Sequence, residues 1–188
     1  FEGEGYTTIL SSRDLCMIDY LQELHDAGID SLKIEGRMKS LYYVAIVTRA
    51  YRKALDALSQ HQGASDWKEY RKELFEVSHR EFSTGFFFDS EQISHPTEIS
   101  YIRPQLLIGT VEEQVADHVY KLKLKNKIER GTTIEYIGPH ILTLLDSDFT
   151  LENENGEPLE SANHQQQVYL RTIKPIEPGC IIRKKIGN

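Results

Sequence analysis

The chain has 188 residues, 39% of them apolar, enough to bury a substantial core as one large domain or two small ones. No run approaches the roughly 20 uninterrupted apolar residues of a membrane span, and the first residues lack the basic start and apolar core of a secretion signal. A soluble chain in the cytoplasm, with no membrane partner, is therefore expected. The net charge of −7 argues against a surface broadly basic for nucleic acid and leaves only local patches. Cys16 and Cys180 are too far apart in sequence to suggest a disulfide framework or a closely spaced ligand pair, which favours a reducing compartment.

In chain order, "YTTIL" (6–10) predicts a short strand, and "SSRD" after it offers Ser11 as a helix N-cap with Asp14 three positions on. Leu15, Ile18, Leu21 and Leu24 recur at helical spacing, and Gly28 sits where a left-handed cap would end that helix. Residues 29–35, "IDSLKIE", read as a second strand. From Ser40 to about Gln60, Leu41, Val44, Val47, Tyr51, Leu55 and Leu58 predict a long amphipathic helix. Strand, helix, strand, helix demands parallel strands joined by right-handed crossovers. Two such strands cannot stand alone, so residues 1–60 read as the last part of a larger α/β domain.

"HQGAS" (61–65) is a loop, and "DWKE" places Asp66 and Glu69 at capping-box spacing before a third helix with Tyr70, Leu74 and Val77. Pro96 and Pro104 mark a boundary, with a first domain over residues 1–101 and a second over 102–188. In the second, "LLIGTVEE", "HVYKLKLK", "GTTIEYIG", "ILTLLD", "DFTLE", "QVYLRT" and "GCIIRKK" predict seven short strands, a small barrel or sandwich. In "VYKLKLK" the alternation turns Val119, Lys121, Lys123 and Lys125 to one face and Tyr120, Leu122 and Leu124 to the other. From residue 105 onward there are ten Lys and Arg against twelve Asp and Glu, so any attraction for RNA must come from such a patch. A solvated edge that uses lysines to prevent aggregation accounts for the pattern equally.

The chemistry gathers in "GIDSLKIEGRMKS" (28–40). In parallel α/β folds functional side chains collect where strands end. Ser12, Arg13 and Asp14 follow the first predicted strand and Glu35, Gly36, Arg37 and Lys39 the second, so the two groups should share one rim. Gly36 would permit a sharp turn or a close approach. Arg37 is suited to hold a carboxylate or phosphate with paired hydrogen bonds, and Glu35 to act as acid, base or partner to that arginine. Glu35 and Arg37 are the catalytic candidates, with Ser12, Asp14 and Lys39 binding substrate. A structural ion pair and ordinary helix caps explain the same spacing. The seven histidines show no HExxH or paired metal spacing, so no metal site is assigned. "GFFF" (85–88) reads as packing between the two domains rather than a platform for bases.

The segment "SSRDLCMIDYLQELHDAGIDSLKIEGRMKSLYYVAIVTRAYRKALDA" (11–57) closely resembles the collagenase-like proteases of the U-thirty-two peptidase family, and the likeness persists through "SHREFSTGFF". The resemblance implies the C-terminal part of a (β/α) barrel of the TIM type followed by a small antiparallel β-barrel domain. It implies either a peptidase acting on peptide substrates or an RNA hydroxylase, including the prephenate-dependent enzymes that hydroxylate the wobble uridine of tRNA. An iron–sulfur cluster is implied for the intact protein, held by cysteines of the preceding barrel, with no cofactor expected within these residues except that Cys16 is a candidate ligand. On that reading these residues alone are inactive. A non-catalytic module binding RNA or protein is the alternative.

Overall fold

The computed structural model describes residues 13–60, 68–88 and 101–186. The chain divides into two compact units, Phe1–Pro104 and Gln105–Asn188. The predicted strand at 6–10, the cap at Ser11, the capping box at Asp66 and candidate Ser12 lie outside the described residues.

In the first unit, β1 (Asp14–Leu15) pairs in parallel with β2 (Phe82–Ser83), through Asp14 with Phe82 and Leu15 with Ser83. The expected helix start near Ser11 is thus corrected. Residues 14 and 15 are extended, a 3₁₀ turn follows at Ile18–Tyr20, and α1 runs only over Leu21–Asp26. Ile18 and Leu21 are buried while Leu15 is 58% exposed, because strand pairing turns Leu15 away from the face it would share on a helix. Gly28 ends α1 as expected. Its φ is 77°, its N–H donates to the carbonyl of His25 and the Ile29 N–H donates to that of Leu24, the bond from two residues past the C-cap Ala27 that closes a Schellman cap.

The predicted strand at 29–35 does not form. Those residues carry no ladder bonds among the described residues, and Ile29, Leu32 and Ile34 stay exposed. Alternating apolar side chains make a strand only where a neighbour satisfies their backbone.

The long helix α2, Leu41–Ser59, is the best match between pattern and structure. The Ser40 side chain caps it by accepting from the Tyr43 N–H at 3.1 Å. Its buried stripe is Tyr42, Ile46, Val47, Ala50, Ala54 and Ala57, rotated from the expected one, and Leu41 is 75% exposed. The apolar spacing set the period correctly, but the small alanines let neighbouring chain approach on their side. The third helix, α3, is short, Lys68–Glu73. Arg71 on it grips Asp19 of the 3₁₀ turn with two donors, each 2.7 Å from a carboxylate oxygen.

The second unit contains β3 (Gln105–Ala116), β4 (Val119–Leu124), β5 (Ile128–Glu129), β6 (Ile134–Ile137), β7 (Leu144–Asp146), β8 (Thr150–Glu152), β9 (Pro158–Leu159), β10 (Ser161–Ala162), β11 (Val168–Arg171) and β12 (Ile181–Lys185). Eight of them form one curled antiparallel sheet in the order β7-β6-β12-β3-β4-β11-β8-β9, a half-barrel with β7 and β9 at its edges. The remaining two, β5 and β10, pair with each other. The predicted runs each contain one strand of the sheet, and the two-residue strands β5, β9 and β10 carry too little pattern to be read beforehand. The core of this unit includes Ile108, Leu122, Ile134, Tyr136, Phe149, Leu151, Leu170 and Ile182. Buried polar residues of this unit bond to one another. Arg183 Nε donates to Glu135 at 2.7 Å across the β6–β12 register, and the Asp146 carboxylate accepts from Tyr136 at 2.9 Å and Thr172 at 2.5 Å.

Candidate functional site

The first unit holds a cleft of about 500 Å³ lined by Asp14, Glu35, Lys39, Tyr43, Arg80 and Phe87 among others. Asp14 stands at its centre because the β1–β2 pairing fixes the backbone on both sides of it. Its carboxylate accepts from the Arg80 backbone N–H at 3.0 Å and from Lys39 Nζ at 3.4 Å, and lies 3.8 Å from Arg80 Nε. Asp14 and Lys39 are about four-fifths shielded from solvent and Arg80 about three-quarters. Asp14 and Lys39 were expected on one rim and the structure brings them together across 25 positions of sequence. Helix capping by Asp14, the bland alternative, is not what the residue does.

Glu35 faces the same cleft but spends one oxygen locally, with Oε1 accepting the Arg37 backbone N–H at 2.9 Å. The carboxylate thereby folds the loop back on itself, and the Arg37 side chain is left on the surface, outside the cleft lining. Gly36 does not use the left-handed conformation. It is needed because a Cβ there would come within 2.9 Å of Val44 Cγ2, so the loop lies directly against α2, and the Lys39 N–H closes the turn on the Gly36 carbonyl at 2.9 Å.

The sequence reading missed Arg80, Tyr43, Tyr101 and Phe87. Lys39 Nζ lies 4.9 Å from the Tyr43 ring centre and 5.0 Å from that of Tyr101; the guanidinium carbons of Arg80 and Arg103 lie 5.5 Å and 5.9 Å from the Tyr101 ring. Burial, reinforced by the charge of Asp14, pushes the Tyr43 hydroxyl above its ordinary pKa, so it stays a protonated donor at neutral pH. The "SHREFSTGFF" stretch was the one available signal for Arg80 and Phe87, and nothing local tied it to the loop at 28–40.

Cys16 lies beside the Tyr51 hydroxyl, 3.9 Å away, and burial raises its thiol pKa. Cys180 is fully buried in the core of the second unit, where Gly138 leaves room for its sulfur. An iron–sulfur cluster draws on four cysteine thiolates as a rule. The two cysteines here, Cys16 against a tyrosine and Cys180 in a sheet core, do not supply such a set between them. Among the described residues no three His, Cys, Asp or Glu side chains come together as a metal ion would need.

On the second unit, Lys121 and Lys123 project from β4 opposite the buried Tyr120, Leu122 and Leu124. A bulge in β3 sets Glu112 and Glu113 against a single partner position, so Lys121 meets both carboxylates, at 3.7 and 3.4 Å, and Lys123 Nζ lies 3.9 Å from Glu112. Lys125 is exposed just past the end of β4, and Lys127 pairs with Glu129 at 2.7 Å. The lysine row is therefore interleaved with carboxylates.

Residues 2–97 match the model of peptidase family U32, and residues 103–183 that of the peptidase family U32 C-terminal domain. The chain belongs to peptidase family U32. It is 32% identical over 183 residues to tRNA hydroxylation protein P1 of Bacillus subtilis (strain 168), an alignment covering 93% of this chain and 43% of that protein. An uncharacterised protease of Methanocaldococcus jannaschii is 39% identical over 46% of this chain and 21% of its own length. Among solved structures, the C-terminal domain of a Geobacillus thermoleovorans protein described as a U32 peptidase matches with a TM-score of 0.38 and 23% identity, over 42% of this chain and 99% of that one. The chain thus spans less than half the length of the curated relatives it matches.

No helix among the described residues is long and apolar enough to cross a membrane.

Proposed function

We propose that the protein carrying this chain is a cytoplasmic tRNA hydroxylase acting on the wobble uridine, and that the cleft around Asp14 and Lys39 is part of its substrate site. The observation that carries this reading is the breadth of the likeness. Two relatives named for tRNA hydroxylation align over 93% and 86% of the chain, through both units, whereas a relative named as a protease aligns over 46%. The cleft supports it, being edged by cations suited to phosphate or carboxylate groups. On this reading residues 29–35 become a strand of a (β/α) barrel once neighbours supply its ladder, turning Glu35 and Arg37 to the rim. Glu35 then handles a proton, Arg37 holds an anionic group of the substrates, and Asp14, Lys39 and Ser12 orient them.

The test is to express the full-length protein in a bacterium deleted for its own tRNA hydroxylation genes and measure tRNA nucleosides by mass spectrometry. Hydroxylated uridine is expected. Its absence together with cleavage of casein or collagen by the purified protein would replace the reading with a peptidase. Glu35→Gln and Arg37→Met should each abolish the modification while the thermal midpoint stays within a few degrees of the parent; Arg37→Lys should lose part of it, since lysine keeps charge without the two-pronged donor geometry. A collapse of stability in these variants would make the two residues structural.

A further inference from the structure

Around Tyr101 the described residues of the first unit gather three cations. Lys39, Arg80 and Arg103 lie within 6 Å of that ring, and Lys39 and Arg80 also meet the Asp14 carboxylate, in a chain of net charge −7. Arg13, next to Asp14 in sequence, has its Nε 3.3 Å from Glu81. Tyr101 is 40% exposed and Arg103 is on the surface, so a ligand in solvent can reach the cluster. Lys39 and Arg80 also line the cleft that Phe87 borders, and Phe87 is 60% exposed. Phe88 beside it is held by stacking on Tyr20 with ring centres 4.4 Å apart, which anchors this aromatic stretch at one end. An exposed ring costs free energy in water, and one lining the same cleft as a guanidinium and an ammonium group is suited to the face of a base and the phosphate that follows it.

We propose that Lys39, Arg80 and Arg103 form a phosphate-binding cluster ordered on Tyr101, and that Phe87 is a stacking surface beside it, together taking one unpaired nucleotide of an RNA loop. This deepens the tRNA reading and rests on it for the identity of the RNA. The cations hold the backbone, the ring reads only the flat face of the base, and the site prefers an unpaired nucleotide because a base within a duplex has no free face to offer. The expectation that residues 85–88 serve as packing between the two domains gives way, for Phe87, to a ligand surface.

The test measures binding of the full-length protein to a fluorescent RNA stem–loop and to a fully paired duplex of equal charge, across a salt series, with inorganic phosphate as competitor. Phe87→Ala should weaken stem–loop binding about 5- to 100-fold with an unchanged salt slope and leave duplex binding unaltered. Arg80→Gln and Arg103→Gln should each flatten the salt slope by about 0.7, the share of one released counterion on a single strand, while Arg80→Lys preserves it. Arg52→Gln, in an exposed pair with Asp56 on α2, is the control and should change neither. Unaltered slopes in both arginine variants, or equal losses on loop and duplex for Phe87→Ala, would overturn the proposal. Because these readouts need no turnover, failure of the binding site is distinguishable from failure of the hydroxylase reading, which nucleoside analysis decides separately.

Discussion

The two units solve the burial problem differently. The second closes its apolar residues into one core and matches its buried charge internally, Arg183 to Glu135 and Asp146 to Tyr136 and Thr172. The described part of the first leaves Leu15, Ile29, Leu32, Leu41 and Phe86 to Phe88 exposed, and sets cations around one tyrosine. Residues that complete each other leave nothing over for a ligand, and residues that do not are where recognition is to be sought.

The sharpest way to break this contrast is through the buried ion pair. Arg183→Met leaves the Glu135 carboxylate uncompensated and should destabilise the second unit by about 3–5 kcal/mol, with the double variant Arg183→Met/Glu135→Leu recovering most of it, measured by denaturant titration. A loss of under ~1 kcal/mol in the single variant would mean the pair is solvated in solution. Next come apolar truncations. In the 188-residue chain, Leu170→Ala removes a side chain with no exposed surface and should cost about 2–5 kcal/mol, whereas Leu32→Ala, on a segment without strand partners there, should change stability by no more than about 0.5 kcal/mol. Equal costs would erase the distinction between the units.

The cysteines give a kinetic version. Burial holds both thiols above their ordinary pKa of 9.0, so both favour the protonated form at pH 8 and any stability this lends is lost only as pH rises past 9. Alkylation followed by mass spectrometry should find Cys16, partly exposed, modified slowly in the native protein and faster above pH 9, and Cys180 modified only when its unit unfolds. The smallest effect concerns the lysine row. Replacing Glu112 and Glu113 by glutamine frees Lys121 and Lys123, and if the row can touch RNA, the double variant should steepen the salt slope of tRNA binding by about 0.7–0.9 per lysine engaged. No change would leave the row a solvated strand face.

Legibility in the sequence followed the range of the forces involved. Helix α2 was readable because a 3.6-residue period is written within a few positions of the chain, whereas its Ser40 cap came only with the structure. Alternation located the longer strands of the second unit for the same reason. The buried side of α2 was misjudged because apolar size is not burial. Alanines are chosen by close approach, and nothing near them in sequence records what approaches. Residues 29–35 carry strand alternation without strand pairing, since pairing depends on a neighbour the segment does not contain. In the site, Asp14 and Lys39 were expected together from a pair of strands of which the second, 29–35, does not form, and Arg80, 66 positions from Asp14, and the tyrosine that gathers the cations are facts of tertiary folding.

The position of β12 has a consequence for how the protein is made. This strand, the last of the second unit in sequence, lies between β6 and β3 and is hydrogen-bonded to both. While the chain is being synthesised, β3 and β4 can zip into a hairpin over the left-handed His118 as soon as they emerge, and β11 can join β4. Until residue 185 clears the ribosome, however, the β6–β7 pair has no bond to the rest of the sheet, and two strand edges stand open side by side. Until β12 is available, β3 and β6 each present an unpaired edge, and closing the sheet requires β12 to be inserted between them rather than added at the rim.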